Sequence, residues 1–237
     1  MILDGKVVVV TGGSSGIGRA CADVLEESGT QVYAVSRTTE PAVDVRDIGT
    51  LAPLAERIES SHGRLDVLIT SAGVLTENRP AHELSLADFA ANYEINVVGT
   101  VNSCQAFWPL LKRASGAVVC ITSQAALVSL PAQAAYSASK GAVASLTRSL
   151  AIDWAASGVR VNAVAPGFTE TPMTAGFFAN PQLTRAVKRR IPLGRILAAR
   201  EIAYAAVFLA SPAASAVTGV VLPVDGGWTA GEPALPW

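Results

Sequence analysis

The chain has little of what usually builds a metal or nucleophile centre. Its histidines are His62 and His82, both in polar, loop-like stretches, too few and too isolated for a histidine metal site, so no metal is expected. Its cysteines are Cys21, Cys104 and Cys120, at no metal or disulfide spacing. The odd count, with an opening stretch MILDGK that has no apolar signal-peptide core, points to reduced core thiols in a cytoplasmic protein. No charge dominates: the net charge is −1, without a basic cluster or acidic tail, which argues against a nucleic-acid surface or an electrostatic membrane patch. No apolar run approaches the length of a membrane span. Aromatics are 6% of residues while half the chain is apolar, so Val, Ala, Leu and Ile must build the core. At 237 residues the chain suits one domain.

What is present is an alternation. Apolar runs of strand length lie at 6–11, 31–36, briefly at 42–44, and at 65–70, 116–122, 159–164 and 219–224. Amphipathic helical stretches lie between them, near 16–28, 50–60, 85–113, 135–157 and 199–210. Strands alternating with helices imply βαβ units and a parallel sheet covered on both faces. VVVVT and AVVCIT are apolar throughout, as doubly buried strands should be. The stretch 169–195 breaks the rhythm: it is long, holds three prolines and has one helical portion near 182–190. A connection of that length often forms a lid or binding loop.

The turn Gly12-Gly13-Ser14-Ser15-Gly16 admits two chemistries. It matches G-x-S-x-G, the elbow that presents a nucleophilic serine. It also reads as GxxxGxG, with Gly12, Gly16 and Gly18 letting backbone close around phosphates at a helix N-terminus. The elbow needs an acid and then a histidine further along, yet the last histidine is His82, and the turn sits on the first strand with nothing before it to form an oxyanion loop. The phosphate cradle is the better reading.

A second constellation supports it. Ser123 ends a strand, Tyr136 follows thirteen residues on, and Lys140 four after that, so Tyr136 and Lys140 share a helix face. The helix around them is rich in Ala, Ser, Leu and Val, and the chain's other lysines are Lys6, Lys112 and Lys188 alone. Tyrosine is a poor acid at neutral pH. A cation roughly 4 Å away at an effective dielectric near 20 is worth about 4 kcal/mol, or on the order of three pKa units. That spacing is therefore expected to bring the phenol into range for proton exchange.

TGxxxGIG at 11–18, Ser123, Tyr136-x-x-x-Lys140, APG at 165–167 and FLASPAASAVTGVVLPVDGG near the end together resemble the short-chain dehydrogenase/reductase family, from Asp4 to about Trp228. The resemblance implies a single Rossmann-type α/β domain over 1–237, a doubly wound parallel sheet of about seven strands in the order 3-2-1-4-5-6-7. It implies an oxidoreductase that moves a hydride between a nicotinamide coenzyme and a carbonyl or secondary alcohol, the hydride chemistry belonging to the coenzyme. Tyr136 would exchange the proton, Ser123 would hydrogen-bond the reacting oxygen, and Lys140 would bind the nicotinamide ribose. Asn96 matches the family asparagine that holds a water in a proton relay; read alone, it is a polar residue inside an apolar helix that needs a partner. Ser14, Ser15, Gly16 and Ile17 resemble phosphate-cradle residues, Asp44 and Val45 the pair lying against adenine, and Pro166, Gly167, Thr169 and Thr171 further coenzyme contacts. The chain departs from the family at Thr70-Ser71-Ala72-Gly73, where Asn-Asn-Ala-Gly is usual; Ser71, Ala72 and Gly73 remain expected contacts of the adenosine ribose.

The second strand ends in Ser36-Arg37, where NAD-preferring members place an aspartate at the Ser36 position. A small hydroxyl leaves room for a 2′-phosphate and Arg37 offers it a donor fork, so NADP(H) is expected. The family also implies a homotetramer, with helices 85–113 and 135–157 as interfaces; the tail AGEPALPW, with Trp237, would reach a neighbour. Candidate pocket residues are Gln124, Leu127, Gln133, Phe168, Phe177 and Phe178, the last two reading equally as a lid or as packing. Arg185, Lys188, Arg189 and Arg190 read as a solvated helix face. Sugars and polyols, ketones, diketones and β-ketoacyl thioesters stay open as substrates. A 3-oxoacyl-[acyl-carrier-protein] reductase ranks second, and a non-enzymatic redox sensor third, since such a sensor would be expected to have lost Tyr136 or Lys140.

Overall fold

The computed structural model describes residues 3–231; the tail contact expected for Trp237 lies outside them. Period-two burial builds the centre. In β1 (Val7–Thr11) every residue is buried, with Val7 and Val9 on one face and Val8 and Val10 on the other. It pairs in parallel with β2 (Gln31–Val35) and β3 (Val67–Thr70), and the sheet continues through β4 (Ala117–Ile121), β5 (Arg160–Pro166) and β8 (Val221–Val224). The order is β2-β1-β3-β4-β5-β8, all parallel. One face is covered by α2 (Ile48–His62), α4 (Gly99–Ala114) and α5 (Ala134–Ala155), through Leu51, Leu54, Ile58, Phe107, Leu111 and Val143. The other carries α1 (Gly16–Glu27) and α8 (Ala199–Ala210), through Cys21, Leu25, Ile202, Ala206 and Leu209. The three cysteines are free and buried.

The expected order holds, less its outermost strand. Residues 42–44 form no strand: the Val43 amide donates to the Ser36 carbonyl, and Val43 and Val45 turn inward to pack. Gly99 makes the space for this, since a Cβ there would lie 2.4 Å from Val45 Cγ2. β2 is thus the edge. The helix expected over 85–113 divides into α3 (Leu86–Tyr93), one wide π turn (Glu94–Val98) and α4. The 169–195 segment is largely ordered as a short strand β6 (Thr169–Glu170), α6 (Pro172–Phe178) and α7 (Pro181–Arg190), with β7 (Leu197–Ala198) pairing back onto β6. Phe177 and Phe178 pack on Phe168, which packs in turn at a tilt against Trp228, so both phenylalanines anchor the segment to the domain. Arg185, Lys188 and Arg189 are exposed, whereas Arg190 lies over the Trp228 ring and donates to the carbonyls of Trp228 and Gly231. His62 ends α2 beside the Tyr33 hydroxyl, 2.8 Å away.

Candidate active site

The carboxyl ends of five strands open onto one cleft of about 320 Å³, the usual place for a ligand in a doubly wound sheet. β1 delivers Gly12, Ser14, Ser15, Gly16 and Ile17; β2 delivers Ser36 and Arg37, with Asp44 and Val45 beyond; β3 delivers Ser71, Ala72 and Gly73. Ser123 follows β4, Pro166 ends β5 and Gly167 follows it, Thr169 comes from β6 and Thr171 from the N-terminus of α6. Tyr136 and Lys140 enter from α5.

The candidate pocket residues Gln124, Leu127, Gln133, Phe168, Phe177 and Phe178 do not line the cleft, and neither do two residues expected at the coenzyme and catalytic ends, Gly18 and Asn96. Gly18 sits behind the first turn, where a Cβ would lie 2.2 Å from the Gly12 carbonyl oxygen; it lets α1 pack against the loop. Asn96 stands behind the Gly73–Val74 backbone, 1% exposed. Thr38, Val74, Thr122 and Met173 line the cleft and carry no sequence signal beyond adjacency to recognised motifs.

The first turn fits a dinucleotide phosphate. Gly12 has φ of +68°, and a Cβ there would lie 2.6 Å from the Ala72 amide nitrogen, so only glycine lets β1 and β3 loops approach this closely. The N-cap residue of α1, Ser15, makes no side-chain cap, and the first turn holds no acidic residue, so its amides and helix dipole remain available to an anion. At the far end Ser36 and exposed Arg37 border the same cleft. Asp44 is ion-paired with Arg46 at 2.6 Å, which holds its carboxyl below the ordinary range.

At the other end Lys140, 5% exposed, donates from Nζ to the Ile121 carbonyl at 2.9 Å and lies 5.9 Å from the centre of the Tyr136 ring. Burial pushes the ammonium down to about 8. The phenol departs from the sequence expectation: burial pushes Tyr136 up, opposed by a hydrogen bond with Ser123. The ammonium stands over the ring, and desolvation of the phenol outweighs the lowering by Ser123. Ser123 caps the turn that follows it by accepting from the Ala125 amide at 3.1 Å. Among the described residues no group of three or more His, Cys, Asp or Glu side chains is placed to hold a metal ion, and no helix is long and apolar enough to cross a membrane.

A glycine-cradled cleft at a topological switch point, with Ser, Tyr and Lys at one end, defines a dinucleotide-dependent oxidoreductase. The family profile described as enoyl-(acyl carrier protein) reductase matches residues 12–229. The chain is 41% identical to a cis-4-hydroxycyclohexanecarboxylate dehydrogenase of Sinomonas cyclohexanicum, over 95% of this chain and 97% of that one. It is 39% identical to a D-threitol dehydrogenase of Mycolicibacterium smegmatis, over 96% and 94%. The crystal structure of a gluconate 5-dehydrogenase from Burkholderia cenocepacia J2315 in complex with NADP and tartrate superposes with a TM-score of 0.91 at 30% identity, covering 97% of each chain. The chain belongs to the short-chain dehydrogenase/reductase family, whose members bind a nicotinamide coenzyme, and it is an oxidoreductase acting on a CH–OH group.

Proposed function

We propose that the protein interconverts a secondary alcohol and a ketone on a small polar substrate, a polyol or hydroxy acid, with NADP(H) as coenzyme and Tyr136 as the proton donor and acceptor. The observation that carries this is a single cleft bordered at one end by Ser123, Tyr136 and Lys140 and at the other by Ser36 and Arg37. The bound coenzyme supplies or accepts the hydride. Gly12 to Ile17 hold its phosphates, Ser71 to Gly73 its adenosine side, and Lys140 its nicotinamide ribose. Arg37, with no acid at position 36, faces a 2′-phosphate.

In the reductive direction Tyr136 is protonated at neutral pH and gives its proton to the substrate oxygen. Ser123 holds that oxygen through its hydroxyl. Lys140, with its ammonium titrating at about 8, draws the departing phenolate toward stability as the proton leaves. The segment 169–195 forms the substrate side of the cleft, with Met173 from α6 at its wall. Small relatives acting on D-threitol and cis-4-hydroxycyclohexanecarboxylate support the substrate class. The reading includes a homotetramer whose contacts use exposed apolar residues such as Leu86, Val98 and Ile152, which sedimentation tests directly.

The deciding assay is coenzyme turnover with NADPH and NADH side by side on ketoses, cyclic keto acids, diketones and an acetoacetyl thioester, with Tyr136→Phe as the blank. Turnover that prefers NADPH, is lost in Tyr136→Phe, and swings toward NADH in Arg37→Asp is the expected result. An unchanged coenzyme ratio in Arg37→Asp overturns the NADP assignment.

A further inference from the structure

Asn96 is held by a closed set of bonds. The Val74 amide donates to its Oδ1 at 2.8 Å, and its Nδ2 donates to the Val74 carbonyl at 3.0 Å and to Ser139 Oγ at 2.9 Å. Because the Val74 N–H must meet an oxygen, the amide's orientation is unambiguous, and both Nδ2 hydrogens are used. The Ser139 hydroxyl, 1% exposed, has one hydrogen and gives it to the Tyr136 carbonyl at 2.8 Å. The bonds therefore run one way, from Asn96 through Ser139 to the backbone of Tyr136.

This chain crosses three parts of the site. Asn96 belongs to the π turn between α3 and α4, Val74 to the loop after β3, and Ser139 to α5, between Tyr136 and Lys140. Beside Gly73, the position a Cβ would occupy lies 3.1 Å from Asn96 Oδ1 and 3.4 Å from Lys140 Nζ. The amide oxygen and the ammonium thus border one small gap, and a flipped amide would present hydrogens to that gap instead.

We infer that Ser139 is a positioning residue: by accepting from the Asn96 amide, which the Val74 backbone orients, and donating to the Tyr136 carbonyl, it ties the π turn and the β3 loop to the helix that carries Tyr136 and Lys140. Its relevance to turnover rests on the function proposed above, but the lock itself is testable without a substrate. Ser139→Ala fits a buried helical site and removes both bonds. The Val74 amide has Asn96 Oδ1 as its partner, so its hydrogen exchange in the unliganded protein reports the lock directly.

The expected result for Ser139→Ala is Val74 exchange faster by about tenfold, with the amides of β1 and β4 unchanged. In turnover, kcat falls by about tenfold while both KM values stay within about twofold, as for a misplaced group that does not itself bind substrate. Ser139→Thr, which keeps the hydroxyl, restores exchange and kcat. In an Asn96→Ala background, Ser139→Ala adds no further loss. Val74 exchange as in wild type, or a loss additive to that of Asn96→Ala, overturns the inference. If wild-type protein turned over nothing while Val74 exchange responded as stated, the lock would stand and the proposed function alone would fail.

Discussion

Lys140→Met should make the unliganded protein more stable at neutral pH while abolishing turnover. The lysine is 5% exposed, and its ammonium is displaced from an ordinary 10.5 to about 8. Each pKa unit is 1.36 kcal/mol, so the folded state carries a cost of about 3 kcal/mol for keeping this charge buried. A methionine of similar length fills the site without the charge but gives up the bond to the Ile121 carbonyl, an offset of about 1–2 kcal/mol. The net gain at pH 7 is therefore about 1–2 kcal/mol. The sign of the pH dependence is fixed by the direction of the shift. Folding lowers this base, so below pH 8 both states are protonated and the cost is constant. Between about 8 and 10.5 the folded state alone loses its proton and the cost disappears. From pH 7 to 9.5 the stability difference between variant and wild type should thus move by about 2 kcal/mol toward wild type. Urea unfolding of both proteins at the two pH values measures this, and taking the difference cancels every group common to both. A difference that stays constant between pH 7 and 9.5 would refute the reasoning, because it would mean the lysine titrates alike in folded and unfolded chains.

Gly12→Ala forces a side chain onto a φ of +68° and against the Ala72 amide, so it should weaken coenzyme binding by at least about tenfold in a fluorescence titration, with the sheet intact by circular dichroism. Arg160 donates to the carbonyls of Leu209, Ala210, Ser211 and Val217, closing the C-terminal end of α8; Arg160→Met should cost about 2–4 kcal/mol by urea midpoint, and Arg160→Lys most of that. Asp66 accepts from the Val7 amide, Lys6 and Arg64, and these bonds hold its carboxyl below the ordinary range despite burial. Its contribution is therefore fully present above the ordinary carboxylate range and lost as pH falls below it, so the stability gap between wild type and Asp66→Asn should narrow progressively below about pH 4.

Much of this protein is legible along the chain, because it depends on local rules. Val7 to Val10 are apolar without a break, and a strand buried on both faces needs that composition in any context. Tyr136 and Lys140 share a helix face by spacing alone, and the Gly12–Gly18 turn marks the phosphate end. A short apolar run at 42–44 misleads, since Val43 and Val45 are apolar to fill a gap left by Gly99 on a distant helix, and their backbone joins no ladder. The π turn at Glu94–Val98 likewise carries no periodic signature in a stretch that reads as one helix.

What tertiary structure alone decided is how the shared groups face one another. Spacing brings a lysine and a tyrosine onto one face, but packing sends the ammonium to the Ile121 carbonyl and over the ring, and burial then moves the phenol up instead of down. Asn96 stands out in sequence, but its partners Val74 and Ser139, 22 and 43 positions away, do not, and the three become one hydrogen-bonded unit only when the β3 loop, the π turn and α5 converge. Backbone propensity and hydrophobic period act over a few residues and so can be read from sequence. Desolvation and hydrogen-bond direction depend on which distant atoms exclude water from a given group, and that is settled only by the fold.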